Sequence, residues 1–512
     1  MDSTILVQTQ APPLGTRILR GAVSSFLIGV LTNGFLFVGM SIVIPRALSI
    51  NEFAQFTVSI SFVAMLALLA DLGMNPYFTR MFAEAEEHVK SGLEDCRGVL
   101  LGSALALRLM MSVIVAGLVW VIGRQMYSQS MVENMSVLLL TLLISSRMLI
   151  VRSVGESVLR AEGKYYLAAS FALVDAITFA SVLLISRGHR LTISSVIWIY
   201  TLCNLPGFLL LLATLTFWIR RNKLKLATRF SVIREMLQAS VPLALATAFI
   251  TIHTQIDNLL LDKLSTPMQV SSYGATVRLN SALAPIAIVL ALVTAPELTR
   301  LLHRGDQARA SQLTNLTLRV LLVVSGAIAL IMAVLSTDIV ILLLGNKYAA
   351  AGPLLSWMGW MLIPIFISTY LMEASVAAAK FWFPTVMGAI AMVTVIIGDL
   401  LLIPPFGAAG AMGSKISAVT LGTGVLLWLS RGAGYLNVTR FLAALLRIGL
   451  AICGALLMYL VFSWLGANRW ISCIVILTVY FTVVHASHVL SAQEALSLLQ
   501  RIRVQKTSGG TG

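Results

Sequence analysis

Long apolar runs separated by short polar or basic stretches occupy most of the chain. A membrane-spanning helix needs about 20 mostly apolar residues, and runs of that length recur throughout the sequence. The pattern predicts about fourteen membrane-spanning helices and therefore an all-α polytopic membrane protein. The predicted spans are 21–44, 54–78, 99–122, 135–156, 165–186, 193–219, 239–261, 271–296, 316–336, 352–375, 381–403, 408–429, 441–465 and 470–490.

The composition narrows the possible functions. Hydrophobic residues make up 58% of the 512 positions and charged residues only 11%, whereas about a quarter of the residues in a soluble protein are charged. The longest outer loops, 123–134 and 337–351, leave little room for the active site of a polymerase or a lipid-dependent glycosyltransferase. No HExxH, P-loop or dinucleotide motif occurs, and the four cysteines are scattered. We therefore expect a transporter and not an enzyme, with no catalytic residues, cofactor or metal site.

The net charge of +15 would suggest a nucleic-acid partner in a soluble protein. In a membrane protein, lysine and arginine collect instead in cytoplasmic loops. If the amino terminus is cytoplasmic, the loops predicted to lie inside carry 26 of these residues and the loops outside carry 7. The asymmetry predicts that both termini are cytoplasmic and that the basic excess records orientation in the lipid bilayer. We expect no nucleic-acid partner.

Two halves of the sequence repeat each other at an offset of 216 or 217 residues. A repeat of six helices keeps its orientation, so it implies two pseudo-symmetric bundles with a cleft between them. Two further helices then follow the repeat. The matching positions are Leu48-Ser49 with Leu264-Ser265, Lys164-Tyr165-Tyr166 with Lys380-Phe381-Trp382, Phe56 with Tyr273, Glu156 with Glu373, and Ala161 with Ala378.

The spans, the charges and the repeat together predict six segments. These are a cytoplasmic amino-terminal segment (1–17), an amino-terminal six-helix bundle (18–222), a basic cytoplasmic linker (223–238), a second six-helix bundle (239–430), two additional spans (431–490) and a cytoplasmic tail (491–512).

Several short motifs occur in order along both halves of the chain. They are Ile44-Pro-Arg-Ala-Leu-Ser-Ile-Asn-Glu-Phe53, Ala70-Asp-Leu-Gly73, Ser240-Val-Pro-Leu243, Asp257, Tyr273, Arg278-Leu279 and Leu402-Ile-Pro-Pro-Phe-Gly-Ala-Ala-Gly-Ala411. Together they resemble the motifs of the Wzx-type polysaccharide flippases in the multidrug/oligosaccharidyl-lipid/polysaccharide (MOP) transporter superfamily. The resemblance covers roughly residues 18–430 and implies a MATE-like fold. Two charges depart from the family pattern, because the family usually has a neutral polar residue near Asp399 and no charge at Lys415.

This resemblance implies a function in the bacterial inner membrane. The expected activity is movement of an undecaprenyl-pyrophosphate-linked oligosaccharide to the periplasmic leaflet, ahead of assembly into exopolysaccharide or O-antigen. A polysaccharide polymerase and a chain-length regulator are the partners that such a role implies. A sugar pyrophosphate cannot cross hydrocarbon unaided, so the protein would offer a cationic cleft by alternating access. An ion-coupled antiporter of multidrugs or other small molecules, from the same superfamily, is the alternative.

Arginines within the predicted spans are the first candidates for a cleft that binds the headgroup. A charge at mid-bilayer costs about 2.5–3.5 kcal/mol on insertion scales, so few chains keep one without a role. Arg278 in the eighth span and Arg108 in the third could bind a diphosphate through paired N–H donors. Pairing with a neighbouring aspartate is the alternative for both. Asn33 in the first span and Arg46 at the outer rim are weaker candidates.

A ladder of charges ends the fourth span. Its members are spaced at five, four and four residues and are predicted to cluster on one side near the cytoplasmic mouth. Docking of the incoming diphosphate on Arg147 and Arg152 is one interpretation. Interfacial snorkelling with a salt bridge to Glu156 explains the ladder equally well. The ladder consists of Arg147, Arg152, Glu156 and Arg160.

The seventh span is unusually polar between Thr247 and Asn258. His253 and Asp257 form an i, i+4 pair that could take up H⁺ or hold Na⁺ and so couple transport to an ion gradient. A hydrogen-bonded seam between helices is the alternative. Asp175 in the fifth span is a further candidate for ion coupling.

Overall fold

We describe the protein from a computed structural model, which covers residues 27–489 except 72, 93, 94, 149 and 488. The described part of the chain is helical and contains no β-strand. Within it, twelve helices are long and apolar enough to cross a membrane, and a bent helix gives a thirteenth candidate. The all-α polytopic architecture predicted from the sequence is therefore confirmed. The predicted segments 1–17 and 491–512 lie outside the described residues.

Eight helices form the first half. In chain order they are α1 (Leu27–Ala47), α2 (Ile50–Asp71), α3 (Met74–Lys90), α4 (Arg97–Met126), α5 (Gln129–Ile144), α6 (Val151–Ala161), α7 (Tyr165–Ile185) and α8 (Ile193–Arg221). Five of them correspond to the predicted spans one, two, three, five and six, α5 and α6 divide the fourth, and α3 lies mainly beyond the end of the second.

Six helices form the second half, and two more follow. The bent helix is α9, whose parts Phe230–Val241 and Ala244–Leu264 meet at 58°. The helices are α9 (Phe230–Leu264), α10 (Pro267–His303, interrupted at Ala282–Ala284), α11 (Gln307–Leu344), α12 (Gly352–Ala377), α13 (Trp382–Phe406), α14 (Ala408–Gly432), α15 (Val438–Trp464) and α16 (Arg469–Ala486).

The last two helices pack on the second half and on each other. The hydroxyl of Tyr480 on α16 donates to the backbone oxygen of Val323 on α11 (3.0 Å). Gly326 lies one turn further along α11, and a Cβ there would come within 2.6 Å of the same hydroxyl. The pair α15–α16 is thus an addition to the second bundle, as the sequence predicted.

The structure corrects the helix boundaries at three places. The second span ends at Asp71 and not at 78, because Gly73 adopts a left-handed conformation (φ 59°) and starts the separate helix α3. The fourth span is not one helix, because α5 ends at Ile144 and α6 begins at Val151. The helix α9 begins at Phe230, within the segment predicted as a linker.

The two halves meet where α2 packs against α9 and α10. The approach of α10 to α2 is close, since a Cβ on Gly274 would lie 2.7 Å from Cγ2 of Thr57. On α9, the side-chain amide of Asn258 donates to Oγ of Ser61 (2.9 Å). The polar seventh span predicted from the sequence therefore contacts the first half through Asn258.

Candidate functional site

Arg278 lies at this junction, on the middle of α10. Its guanidinium donates to the backbone oxygen of Met40 on α1 (3.5 Å) and to Oγ1 of Thr57 on α2 (3.4 Å). The cation also lies over the rings of Phe53 (5.1 Å) and Phe56 (5.0 Å). No carboxylate of the described residues forms an ion pair with it. Arg278 is therefore a cation held between the halves by neutral groups.

The first helix is locally unwound beside this arginine. Residues Val38–Val43 form a π-helical segment within α1. Such segments are rare in proteins, and those that occur are often found at functional sites. The segment includes Met40, which accepts from Arg278, and Ser41, whose hydroxyl donates to the backbone oxygen of Arg278 (3.5 Å). The π-helical segment thus directs a backbone oxygen and a hydroxyl of the first half toward α10.

Arg147 is a second arginine that forms no ion pair among the described residues, although it interacts electrostatically with Asp175. It lies in the break between α5 and α6, where its backbone N–H donates to Oγ of Ser145 (3.2 Å). Its guanidinium lies over the rings of Phe179 (5.6 Å) on α7 and Tyr200 (5.1 Å) on α8. The broken fourth span therefore places a cation against α7 and α8.

Aromatic rings connect the two arginines. The ring of Phe56 contacts that of Tyr200 edge-on, with centroids 6.4 Å apart, and Tyr200 contacts Phe179 in the same way at 5.8 Å. The rings are buried, whereas both arginine residues are only partly buried. We refer to this set as the arginine–aromatic platform, which consists of Arg278, Arg147, Phe53, Phe56, Phe179 and Tyr200.

The chemistry of the platform suits an anion with several oxygens. A guanidinium has five N–H donors in a planar fork that matches phosphate geometry, and it stacks on aromatic faces without losing its charge. Arg278 forms only long, weak hydrogen bonds with its protein neighbours. The platform can therefore offer strong charge-assisted hydrogen bonds to an incoming phosphate.

Arg108 lies elsewhere, in the core of the first half. Its guanidinium donates to the backbone oxygen of Ala70 (2.6 Å), to Asp71 (3.2 Å) and to Oδ1 of Asn75 (3.0 Å). It is buried and joins α4 to the turn between α2 and α3. Arg108 thus pairs with a neighbouring aspartate, Asp71, which was the alternative to binding the headgroup in the cleft.

Arg152 is likewise engaged in a buried network. It donates to Asp175 on α7 (2.5 Å) and to Glu156 one turn along α6 (3.0 Å). Asp175 also accepts the backbone N–H of Gly207 (2.8 Å). The carboxylate predicted for ion coupling therefore serves as the counter-charge of an arginine, and the network ties α6 to α7 and α8.

The predicted charge ladder is only partly formed. Arg160 and Arg152 both pair with Glu156, at 3.2 and 3.0 Å. Arg147 lies outside the helix, because α6 begins at Val151, and it contacts aromatic rings instead. The expectation of four charges along one helix face was wrong, since the i, i+4 rule holds only where the helix is continuous.

The two weaker cleft candidates are exposed. Arg46 lies in the last turn of α1 and donates to the backbone oxygen of Leu342 on α11. Asn33 is exposed on α1, before the π-helical segment. Neither residue belongs to the arginine–aromatic platform.

A buried cluster of charges lies within the second half. Nζ of Lys415 on α14 donates to Oδ2 of Asp257 on α9 (2.6 Å) and to the backbone oxygen of His253 (2.5 Å). The hydroxyl of Tyr273 on α10 donates to the same carboxylate. Nδ1 of His253 has no hydrogen-bond partner in the described structure. The aspartate therefore pairs with a lysine from a distant helix and not with the histidine on its own helix.

Asp399 on α13 completes this cluster. It accepts a hydrogen bond from the hydroxyl of Ser414 and interacts with both Asp257 and Lys415. One oxygen of each carboxylate, Oδ1 of Asp257 and Oδ2 of Asp399, is buried without a partner among the described residues. Asp399 and Lys415 were not among the site residues predicted from the sequence. The available signal was that both are charges inside predicted spans, where the resembled family is usually uncharged.

Two family models match the sequence. Residues 18–302 match the model described as polysaccharide biosynthesis protein, and residues 242–401 match the model described as MatE. No curated protein matches the chain in sequence. The first family model covers more than half of the chain and includes α1, α2 and the part of α10 that bears Arg278.

Solved structures share the fold across most of the chain. A lipid II flippase MurJ in an inward closed conformation has a TM-score of 0.68 at 14% identity, over 92% of this chain and 99% of that chain. An inward-facing multidrug resistance MATE transporter of the MOP superfamily gives 0.62 at 12% identity, over 83% and 96%. A mutant of the Vibrio cholerae MATE transporter VcmN gives 0.57 at 15% identity, over 82% and 96%. At these identities the comparison shows the fold alone, and together with the family model it shows that this chain is a multi-pass membrane protein of the polysaccharide biosynthesis protein family, with the fold of the MOP superfamily.

Proposed function

We propose that the protein is a flippase for an undecaprenyl-pyrophosphate-linked oligosaccharide repeat unit. The unit would cross the bacterial inner membrane to the periplasmic leaflet by alternating access, for assembly into exopolysaccharide or O-antigen. The arginine–aromatic platform is the observation that carries this proposal. It presents two arginines that form no ion pair among the described residues, at a junction between the two halves.

The energetics favour a ligand for these two cations. A buried or membrane-embedded cation without a counter-charge is costly, and the chain neutralises Arg108 and Arg152 with aspartates. It leaves Arg278 on aromatic rings with no ion pair among the described residues, and Arg147 on aromatic rings near an aspartate, Asp175, that is already paired with Arg152. A pyrophosphate that arrives with its sugars would supply the missing negative charge, while its lipid tail remains in the bilayer.

The distribution of basic residues supports the proposed direction of transport. With 26 lysines and arginines predicted inside and 7 outside, both termini would be cytoplasmic. The repeat unit is then taken from the leaflet in which it is made. A polysaccharide polymerase and a chain-length regulator would act on it at the other side.

We also propose that a proton is the coupling ion and that it binds to the Asp257–Asp399 pair. The Lys415 ammonium already occupies the position between Asp257 and the His253 carbonyl that a metal cation would need. One lysine cannot neutralise two carboxylates, and each carboxylate has a buried oxygen without a partner. A shared proton would satisfy both. Because Tyr273 binds Asp257 and precedes Arg278 on α10, protonation can act on the helix that carries the platform.

Asp399→Asn tests this coupling. The amide mimics a protonated carboxyl and leaves the Lys415–Asp257 pair intact, so the protein should reach normal levels. We expect glycan export to fall about tenfold, within the usual range of coupling energies, and to become insensitive to dissipation of the proton gradient. The measurement is polymer export with and without a protonophore.

Ser414→Ala is the matched control for this substitution. It removes the hydroxyl that binds Asp399 but leaves the carboxylate titratable, so export should keep its response to the protonophore. Wild-type export by Asp399→Asn with an unchanged protonophore response would contradict proton coupling at this pair.

An ion-coupled antiporter for small molecules is the second candidate. The match of residues 242–401 to the MatE model and the MATE-like fold favour it. The two functions differ in what a deletion strain loses. Loss of a flippase leaves lipid-linked repeat units in the cytoplasmic leaflet, whereas loss of a drug antiporter raises drug sensitivity and leaves the surface glycan normal.

Deletion of the gene should abolish the surface polymer and accumulate lipid-linked repeat units that periplasmic probes cannot reach. The reason is that the pyrophosphate and sugars cannot cross hydrocarbon without a polar path. The measurement is extraction of the lipid-linked pool after exposure of intact cells to a membrane-impermeant sugar-modifying enzyme. Normal polymer together with increased drug sensitivity would favour the antiporter instead.

A further inference from the structure

Arg46 joins the two halves at one end of the molecule. It lies one residue before the last residue of α1 and donates to the backbone oxygen of Leu342, in the last turn of α11. From the other side, Nζ of Lys347 donates to the backbone oxygens of Arg46 (3.1 Å) and Leu48 (2.6 Å). Cations of each half therefore bind carbonyls at a helix end of the other half.

Lys263 makes an equivalent contact. It lies one residue before the last residue of α9, and its Nζ donates to the backbone oxygen of Met126 (2.8 Å), the last residue of α4. The ammonium also lies 3.9 Å from the ring centre of Tyr127 and 3.4 Å from Asp262. A cation of the second half thus binds a helix end of the first.

The two contacts are related by the internal repeat. Arg46 and Lys263 are 217 residues apart, and their acceptors Met126 and Leu342 are 216 residues apart. These offsets agree with the register that links the two halves in the sequence. The first helix of one half reaches the third membrane-crossing helix of the other, in both directions. This exchange is the arrangement that a pseudo-twofold axis between the halves requires.

Both contacts use the same physical principle. The last four carbonyls of a helix have no N–H partner within it, and the helix dipole places partial negative charge there. A cation from the other half supplies the missing donor. Arg46 is exposed, and the Lys263 side chain retains 38% exposure. Water can therefore replace either contact at modest cost, as a reversible closure needs.

The two contacts lie at one end of the junction between the halves. Ser271 of α10 donates to the backbone oxygen of Ile50, at the start of α2 (2.5 Å). This bond connects the first part of α10, which follows Lys263 in the chain, with the start of α2, which follows Arg46. We call this the outer end, because the charge asymmetry predicts that it faces the periplasm.

We propose that Arg46 and Lys263 are paired gate residues that close the outer end of the transport path and must both release for the substrate to leave. This rests on the proposed alternating-access function. The arginine–aromatic platform lies beneath this end, since Phe53 and Phe56 occupy the first turns of α2. Opening of the outer end would expose the platform to the periplasm.

Disulfide or short thiol-specific cross-links across each contact provide the first test. The cysteine pairs are Arg46→Cys with Leu342→Cys and Lys263→Cys with Met126→Cys, in a chain whose four native cysteines are replaced. We expect either cross-link to stop glycan export and a reductant to restore it. Export at the wild-type rate by fully cross-linked protein would overturn the proposal.

A labelling experiment tests the gate independently of the identity of the substrate. Thr57 is buried where α2 meets α10, so Thr57→Cys should react with a membrane-impermeant maleimide in intact cells only when the outer end opens. Replacing Arg46 and Lys263 with methionine should raise the labelling rate about fivefold to tenfold for each contact, as expected for loss of one typical hydrogen bond at a site that water also reaches. The readout requires no glycan, so it holds even if the transported molecule is not a lipid-linked oligosaccharide.

Arg124→Met is the matched control. Arg124 lies in the last turn of α4, near Met126, but stacks on Trp120 of its own helix (4.1 Å). Its removal should leave the labelling of Thr57→Cys unchanged. Equal labelling in the Arg46→Met/Lys263→Met protein and in the parent would show that these contacts do not hold the outer end closed, and would overturn the proposal.

Discussion

Replacing Arg278 with alanine should abolish glycan export while the protein still inserts and accumulates normally. No carboxylate of the described residues depends on this arginine for its counter-charge, so its removal leaves no unpaired charge behind. Two charged hydrogen bonds to a phosphate contribute about 1.5–3 kcal/mol each, which predicts a loss of at least about a hundredfold in export rate. The measurement is surface polymer per unit of membrane-inserted protein.

Arg278→Lys is the informative companion variant. It keeps the charge but loses the planar fork and the stacking on Phe53 and Phe56. We expect export between that of the wild type and of Arg278→Ala. Full export by a normally expressed Arg278→Ala protein would remove this arginine from the substrate path and contradict the role given to the platform.

Replacing Arg152 with methionine should prevent stable folding. The substitution leaves Asp175 and Glu156 buried without their counter-charge, and loss of one partner of a buried ion pair costs about 3–5 kcal/mol. We expect little monodisperse protein after detergent extraction and a markedly lower melting temperature. Fluorescence-detected size-exclusion chromatography on heated samples measures both.

Two further variants test whether the unpaired carboxylates, and not the loss of the Arg152 side chain itself, cause the instability. Arg152→Met combined with Asp175→Asn and Glu156→Gln removes the buried negative charges as well, so much of the protein level should return. Arg147→Met, five residues away, should fold normally because Arg147 contacts rings and forms no ion pair, and Asp175 keeps its direct partner Arg152. A stable Arg152→Met protein would contradict a structural role for this network.

The helical architecture could be predicted from the sequence because hydrocarbon thickness sets the length of each apolar run. The exceptions have local causes. The second span ends early at Gly73, where the backbone is left-handed. The fourth span breaks between Ile144 and Val151, and its apolar run does not reveal the break. A hydropathy pattern records that a segment can cross a membrane, and not whether its helix is continuous.

The candidate site could be predicted only in part. From the sequence, Arg278 and Arg108 were candidates because they are charges at membrane depth, whereas Arg147 and Arg152 were candidates as part of a charge ladder near the cytoplasmic mouth. Their roles differ because Arg108 and Arg152 meet aspartates on other helices, whereas Arg278 and Arg147 meet aromatic rings. Which carboxylate faces which arginine depends on tertiary packing, and helical spacing carries no information about it.

The cluster around Asp257 shows the same limit. The i, i+4 spacing of His253 and Asp257 suggested a pair on one helix. The structure instead brings Lys415 to Asp257, across 158 residues of sequence. The long four-carbon side chain of a lysine can reach a carboxylate on another helix. Helical spacing therefore does not reveal which cation neutralises Asp257. The two charges that depart from the resembled family, Asp399 and Lys415, lie in one cluster and interact with each other.

The central claim is that the protein moves a lipid-linked oligosaccharide between leaflets through the arginine–aromatic platform. The most direct measurement uses the purified full-length protein in sealed vesicles that contain an undecaprenyl-pyrophosphate-linked oligosaccharide in both leaflets. A membrane-impermeant sugar-modifying enzyme then reports how much oligosaccharide reaches the outer leaflet. We expect the wild-type protein to make the inner-leaflet pool accessible and the Arg278→Ala protein to leave it protected. An inner-leaflet pool that stays protected with the wild-type protein, in vesicles where the same protein is shown to be folded, would contradict the account.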